Sequence, residues 1–281
     1  MTPGDPVVRD GLAVYRLGHG EPMFLMPGPH RFQRPGLPAA NALIDGLAGL
    51  GRTVVTFDPP GSGASRRPAR LGMAEMHDCT DEALRATGVA GPVDAMGHSM
   101  GGLALLSYAL ERPGRVRRMV LVGTGSGGRA YREAPGALWN RTHPRFVRMA
   151  LLGSVHMLLR RLGSERILIN FVTRESYVDQ QRADPAPVTF TDWLRPAAGR
   201  ADWHRMARKL DYTTRLGELD LPVLLMCGRH DPQFPPSCSA ELAAAIRRSE
   251  LIFFERSGHY PFIEQAPPFW AAVGEFLAAP A

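Results

Sequence analysis

The stretch that most constrains this chain is residues 92–102, Pro-Val-Asp-Ala-Met-Gly-His-Ser-Met-Gly-Gly. It reads as a short strand, a sharp turn carrying one serine, and a helix that begins near Gly101 and continues through Leu103, Ala104, Leu105, Leu106 and Tyr108. Gly97 and Gly101 bracket Ser99 in a G-x-S-x-G spacing. A nucleophile at the tip of a strained strand-to-helix turn needs neighbours without side chains. Such a turn lifts the hydroxyl above a sheet edge and aims the first N–H groups of the helix at whatever the serine attacks. On spacing alone an ordinary strand-loop-helix junction competes with this reading, so a base and an acid must come from elsewhere in the chain.

Taken in order, residues 12–16 and the apolar run 23–26 suggest a hairpin with Gly18-His19-Gly20-Glu21-Pro22 as its turn. The run stops at Pro27-Gly28-Pro29, a loop placed where α/β sheets bind ligands. Residues 39–50 have helical spacing, 52–57 form a β-branched strand, and 73–87 form a helix leading into the serine-bearing strand. Residues 116–122 are a further strand. Strands alternating with helices across short turns predict a mainly parallel sheet with helices on both faces. From about Gly125 to Thr213 that rhythm stops, with helix-like patterns and no convincing buried strand. It resumes with strands near 221–227 and 251–254 and helices near 240–247 and 268–277. The expected division is an α/β core at residues 1–124 and 214–281, interrupted by a helical cap at 125–213.

Charge is unevenly shared. The cap segment holds fourteen arginines and Lys209 against eight acids, a net +7, while the whole chain carries +6. Within it, residues 145–162 combine an apolar set with Arg145, Arg148, Arg160 and Arg161. The expectation is a solvated arginine face over an apolar face that packs on the core. Attraction for an anionic substrate is the sharper reading, and contact with an anionic membrane surface the lesser one. A nucleic-acid partner is not expected, because no basic cluster with interleaved aromatics stands on a recognisable module. Cys79, Cys227 and Cys238 are odd in number and widely spaced, which predicts free thiols, a reducing compartment and no metal site. With no apolar leader region and no run near the roughly 18 apolar residues of a spanning helix, a cytoplasmic location is expected.

A serine hydroxyl is a poor nucleophile unless a base takes its proton, and the base is usually a histidine oriented by a carboxylate. Of nine histidines, His259 lies in a loop, Gly258-His259-Tyr260-Pro261-Phe262, that follows the last strand and can return to the sheet edge. His98 flanks the serine, where adjacent side chains diverge. His19, His30, His77, His143, His156, His204 and His230 read as surface or loop residues. For the acid, Asp231 follows the strand at 223–227 through Gly228-Arg229-His230. Asp58 follows another strand, but the turn it opens favours a structural role, capping the Pro-Gly loop.

With these residues in hand, the chain resembles the α/β-hydrolase-fold serine hydrolases. The resemblance rests on Asp58-x-x-Gly61-x-Gly63-x-Ser65, Gly97-His98-Ser99-Met100-Gly101-Gly102, Gly228-Arg229-His230-Asp231-Pro232 and Gly258-His259-x-Pro261-Phe262-x-Glu264. It implies an α/β-hydrolase fold with a helical cap inserted after the sixth strand, Ser99 as nucleophile, His259 as base, Asp231 as its partner and the Met100 N–H as one oxyanion donor. It also implies no metal and no organic cofactor. One departure concerns the second donor. The family's His-Gly-x after the first core strand is here Pro27-Gly28-Pro29, and Pro29 has no N–H. A shifted loop in which His30 supplies the donor is the expectation.

The reaction expected is hydrolysis of a carboxylic ester through an acyl-enzyme, on a small acyl ester or anionic substrate. A carbon–carbon bond hydrolase and a proline iminopeptidase-like peptidase are the enzymatic alternatives, and a non-catalytic ligand-binding protein is the alternative of a different class. Trp139, Phe146 and Trp193 are the aromatics expected to line the substrate pocket, with packing as their competing role.

Overall fold

A computed structural model describes residues 6–28, 42–66, 72–148, 150–151, 154, 171–179, 206 and 209–280. Eight strands form one sheet: β1 (Val7–Arg9), β2 (Leu12–Leu17), β3 (Glu21–Met26), β4 (Arg52–Phe57), β5 (Val93–His98), β6 (Val116–Val122), β7 (Val223–Gly228) and β8 (Ser249–Phe254), in the spatial order β1-β2-β4-β3-β5-β6-β7-β8. The first two pairings, β1 with β2 and β2 with β4, are antiparallel, and every later one is parallel. Helices α1 (Ala42–Gly49), α2 (Met73–Ala86), α3 (Met100–Glu111), α4 (Gly128–Glu133), α5 (Pro236–Ala245), α6 (Pro261–Glu264) and α7 (Ala266–Ala278) follow in chain order.

The strands are apolar on both faces, and their period of two splits the core into two layers. Phe24, Met26, Val55, Phe57, Ala95, Met119, Leu121 and Leu225 pack with α2, α3 and α5. Met23, Leu25, Val54, Met96, Val120, Val122, Leu224 and Met226 pack on the other side with α1 and α7. Complete burial of a Leu, Met or Phe side chain of this kind stabilises the fold by about 1.5–3 kcal/mol.

The hairpin expected at 12–26 does not form. β4 lies between its two strands, pairing Val14 with Phe57 on one side and Met23 with Val54 on the other. The run 23–26 has no polar face to leave at an antiparallel edge, so it takes parallel neighbours on both sides. The glycines between β2 and β3 serve a close approach instead of a two-strand turn. A Cβ on Gly20 would lie 2.1 Å from the Gly51 oxygen, and one on Gly18 would lie 2.6 Å from the Arg52 oxygen.

Among the described residues, the next strand of the sheet after β6 is its parallel neighbour β7, which begins at Val223. The two ends of the intervening segment are pinned together. Gly127 bridges Asp211, the Gly128 N–H donates to the Leu210 oxygen at 2.8 Å, and the Tyr212 N–H donates to the Ser126 oxygen at 2.9 Å. Between them, residues 171–175 are helical. Where the arginine-rich stretch is described, Arg145 and Arg148 are exposed as expected of the arginine face, while Val147 and Leu151, at 78% and 63% exposed, do not pack on the core. Arg145 pairs with Glu175, and Arg148 lies 4.7 Å over the Phe171 ring. The cation–π contact and the ion pair draw these guanidinium groups onto the 171–175 segment. No helix among the described residues is long and apolar enough to cross a membrane.

Candidate active site

Ser99 sits at the end of β5 with φ 56° and ψ −125°, a left-handed conformation that a side-chain-bearing residue holds only when its surroundings enforce it. The enforcement is visible around it. The Ser99 N–H donates to the Val122 oxygen at 2.9 Å, and its own oxygen accepts from the Leu103 N–H at 3.2 Å and the Thr124 hydroxyl at 2.8 Å. Gly97 and Gly102 make room for the turn. A Cβ on Gly97 would meet the Gly101 oxygen and the Gly102 Cα at 2.7 Å, and one on Gly102 would meet the Thr124 side chain at 2.8 Å. The helix starts at Met100, one residue earlier than expected, so the Met100 N–H is among the leading amides that have no carbonyl partner within the helix.

Asp231 and His259 meet in the loops after β7 and β8. His259 Nδ1 and Asp231 Oδ2 are 2.7 Å apart, and both side chains are fully buried. The other carboxylate oxygen, Oδ1, accepts from the Gln233 N–H at 2.8 Å and the Phe234 N–H at 3.0 Å, which fixes the carboxylate plane. The Phe234 ring stacks on the imidazole at 6.1 Å between centroids. The pair lies beside the serine turn through Gly123, the residue after the acceptor of the Ser99 N–H. A Cβ on Gly123 would sit 2.9 Å from Asp231 Oδ2 and 3.1 Å from His259 Nδ1. The structure thus brings Ser99, Asp231 and His259 to one edge of the sheet.

His77 departs from the surface or loop position expected of it, and His98 takes a buried place of its own. His98 is buried, and Nε2 lies 2.9 Å from the His259 oxygen. A carbonyl can only accept, so Nε2 carries the proton. Burial pushes the His98 pKa well below its usual value, with the nearby His259 adding to the effect. His77 is also buried, on α2, with Nε2 3.0 Å from Ser107 Oγ, which in turn lies 2.6 Å from the Tyr212 hydroxyl. Sequence spacing gives no signal for either, because the partners lie 30 or more positions away. Asp58 has the structural role expected: Oδ2 accepts from the Tyr15 hydroxyl at 2.9 Å and the Ala64 N–H at 2.8 Å.

Pro29, His30 and Trp193 lie outside the described residues. Trp139 is half-buried and packs against both the larger core layer and the Leu138–Phe171 pair, and Phe146 is half-buried. Among the described residues no group of three or more His, Cys, Asp or Glu side chains could hold a metal ion. All three cysteines are free, and burial raises each thiol pKa, Cys79 to about 11 and Cys238 to about 12.

A mostly parallel sheet, a strained serine turn after its fifth strand and an Asp–His pair after its last two define an α/β-hydrolase. The sequence pattern of the alpha/beta hydrolase fold matches residues 33–266, and the chain belongs to that family. Among its relatives, the chain is similar to a 2-hydroxymuconate semialdehyde hydrolase of Pseudomonas sp. (strain CF600), 29% identical over 267 residues that span 93% of this chain and 88% of the relative. A 2-hydroxy-6-oxononadienedioate/2-hydroxy-6-oxononatrienedioate hydrolase of Cupriavidus pinatubonensis is 27% identical, over 84% of this chain and 80% of its own. In fold, the chain is similar to an esterase from Exiguobacterium antarcticum, with a TM-score of 0.73 and 20% identity over 99% of this chain and 100% of that one. A meta-cleavage product hydrolase from Pseudomonas fluorescens IP01 gives a TM-score of 0.72 and 21% identity over 98% of both chains.

Proposed function

We propose that this hydrolase cleaves a bond beside a carbonyl carbon through an acyl-enzyme, with Ser99 as nucleophile, His259 as base and Asp231 as the group that orients it. The single observation that carries the proposal is the 2.7 Å contact of His259 Nδ1 with Asp231 beside a serine held at φ 56°. Asp231 is acceptor-only when ionised, so it fixes the proton on Nδ1 and leaves Nε2 as the basic nitrogen. Ser99 Oγ attacks the carbonyl carbon as Nε2 takes its proton. Nε2 then gives that proton to the leaving group. Water enters, loses a proton to Nε2 and releases the acid. The Met100 N–H stabilises the oxyanion, and the donor expected from His30 completes the hole.

Residues 125–213 form the cap over this edge in our reading, with Trp139, Phe146 and Trp193 toward the substrate. A carboxylic ester is the first substrate class, since an alkoxide needs only the proton from Nε2 to leave. A carbon–carbon bond is the second, favoured by relatives whose names specify semialdehyde and dienedioate substrates and by the net +7 of residues 125–213, which suits an anionic substrate. A carbon leaving group must depart as a stabilised enolate, so that substrate carries a second carbonyl in conjugation with the cleaved bond.

A panel of p-nitrophenyl esters of varied chain length and charge, run beside a dienoate semialdehyde, tests both. Turnover of the esters alone supports the ester reading, and preference for the dienoate supports the second. Turnover of neither, with the protein folded and Ser99 unlabelled by a fluorophosphonate, contradicts the proposal.

A further inference from the structure

Three separated stretches of chain meet behind His259. The His259 N–H donates to the Ser176 oxygen at 2.7 Å, so a residue of the segment between β6 and β7 holds the backbone of the histidine itself. Gln233, two residues beyond Asp231, donates from Nε2 to Ser176 Oγ at 2.9 Å. Glu264, at the end of α6, closes the arrangement: Oε2 accepts from the Gly258 N–H at 2.7 Å, and Oε1 accepts from the Val178 N–H at 2.8 Å. The fit is tight, since a Cβ on Gly258 would lie 2.1 Å from the Ser176 oxygen. The Tyr177 and Tyr260 rings pack at 4.6 Å beside it.

We propose that Glu264 is a positioning residue for His259. By joining Gly258 to Val178 with one carboxylate it holds residues 173–178 as a fixed strut against the histidine loop, and through Ser176 that strut also reaches the loop of Asp231. The inference rests on the reading that His259 serves Ser99. Glutamate suits the task because both oxygens are acceptors and each takes a different backbone N–H, in charge-assisted bonds. Glutamine would turn an NH₂ group toward one of those N–H groups, losing one bond and opposing two donors. Aspartate, one methylene shorter, spans less.

The test compares wild type with Glu264→Gln in two readouts. The first is the rate of Ser99 labelling by a fluorophosphonate across pH 5–9, together with kcat and KM for a p-nitrophenyl ester. The expected result is a plateau rate and kcat lower by about 10- to 100-fold, as for other small misplacements of a reacting group, with KM within about twofold. The second is the downfield proton resonance of His259 Nδ1–H in its bond to Asp231, which is expected to shift or broaden in the variant. This resonance is read whether or not Ser99 labels, so failure of the nucleophile reading (an unlabelled wild type) is distinct from failure of the positioning reading. Unchanged labelling and an unchanged resonance, with only a lower melting temperature, overturn the proposal. Should Glu264→Gln not fold, Glu264→Asp, which keeps the charge but cannot reach both Gly258 and Val178, is expected to shift the same resonance. A wild-type resonance in that variant overturns the proposal equally.

Discussion

His98, the residue before the serine, donates from Nε2 to the main-chain oxygen of His259, which ties the nucleophile turn to the loop of the base. The acceptor is a carbonyl, so Nε2 must carry a proton, and burial, outweighing the opposite pull of this hydrogen bond, keeps the ring neutral. Together with the Ser176 oxygen on the His259 N–H, it leaves both backbone groups of His259 held by residues far away in sequence.

That arrangement makes the fold acid-sensitive. His98 and His77 are both lowered from 6.5 by burial, and for His77 the Arg112 charge adds to the lowering while Glu111, Asp78 and Asp81 oppose it. Below 6.5 the unfolded chain takes up protons that the folded chain refuses, so stability is full above that pH and is lost as pH falls below it. Each histidine that stays neutral removes about 1.4 kcal/mol per pH unit. Urea midpoints between pH 7.5 and 5.0 should fall, and His77→Gln should flatten the decline. A midpoint independent of pH over that range would contradict the account.

Asp231→Asn should keep the fold and lose turnover. The asparagine Oδ1 can still accept from Gln233 and Phe234 N–H, while its amide cannot hold the proton on His259 Nδ1. The expected loss in kcat is about 10⁴-fold. Ester turnover and circular dichroism on the same sample check it, and a variant within tenfold of wild type would remove Asp231 from the mechanism.

Gly123 and Gly114 separate backbone strain from site geometry. Both have positive φ, 51° and 78°, but a Cβ on Gly114 meets nothing within 4 Å, whereas one on Gly123 meets Asp231 and His259. Each substitution by alanine should cost about 1–2 kcal/mol in stability. Only Gly123→Ala should also slow turnover. Equal activity in the two variants would show that the Asp–His pair tolerates displacement.

The thiols should be silent until the protein unfolds. Cys227 is buried with its pKa pushed well above the usual range by desolvation and by the Asp231 charge, and Cys238 and Cys79 are raised as well. Ellman's reagent at pH 8 should react slowly with the native protein and report three thiols in denaturant. Rapid reaction of Cys227 in the native state would contradict its burial.

Much of this was legible in the sequence where the signal is local. Residues 52–57 and 116–122 are the strands found, because β-branched and apolar runs between turns leave few alternatives. The serine turn was legible because its glycines answer a steric need within five residues. The meeting of Asp231 and His259 followed from two loops at the same ends of parallel strands. The pairing of β2 and β3 is not legible in the sequence, because a short glycine turn looks the same whether or not a third strand is inserted beside it. His98 and Glu264 stand in the motifs that carry the resemblance, but what they touch, and Ser176 altogether, escaped for another reason. Their work is done through backbone groups, 161 positions away for His98, and a main-chain partner can be supplied by any residue, so the sequence does not say where it lies. In 145–151 periodicity shows that a helix has two faces and not which residues meet a neighbour, so the contacts of Arg145 with Glu175 and of Arg148 with Phe171 leave no sign in the sequence.

The most direct test of the central claim is intact-mass and peptide mapping of the protein after treatment with a fluorophosphonate, run in parallel with Ser99→Ala. The account predicts one adduct per chain, on the peptide carrying Ser99, with loss of ester turnover in step with labelling. It also predicts no adduct and a fall in turnover of at least about 10⁴-fold in Ser99→Ala. An adduct elsewhere, or Ser99→Ala turning over substrate at the wild-type rate, would contradict it.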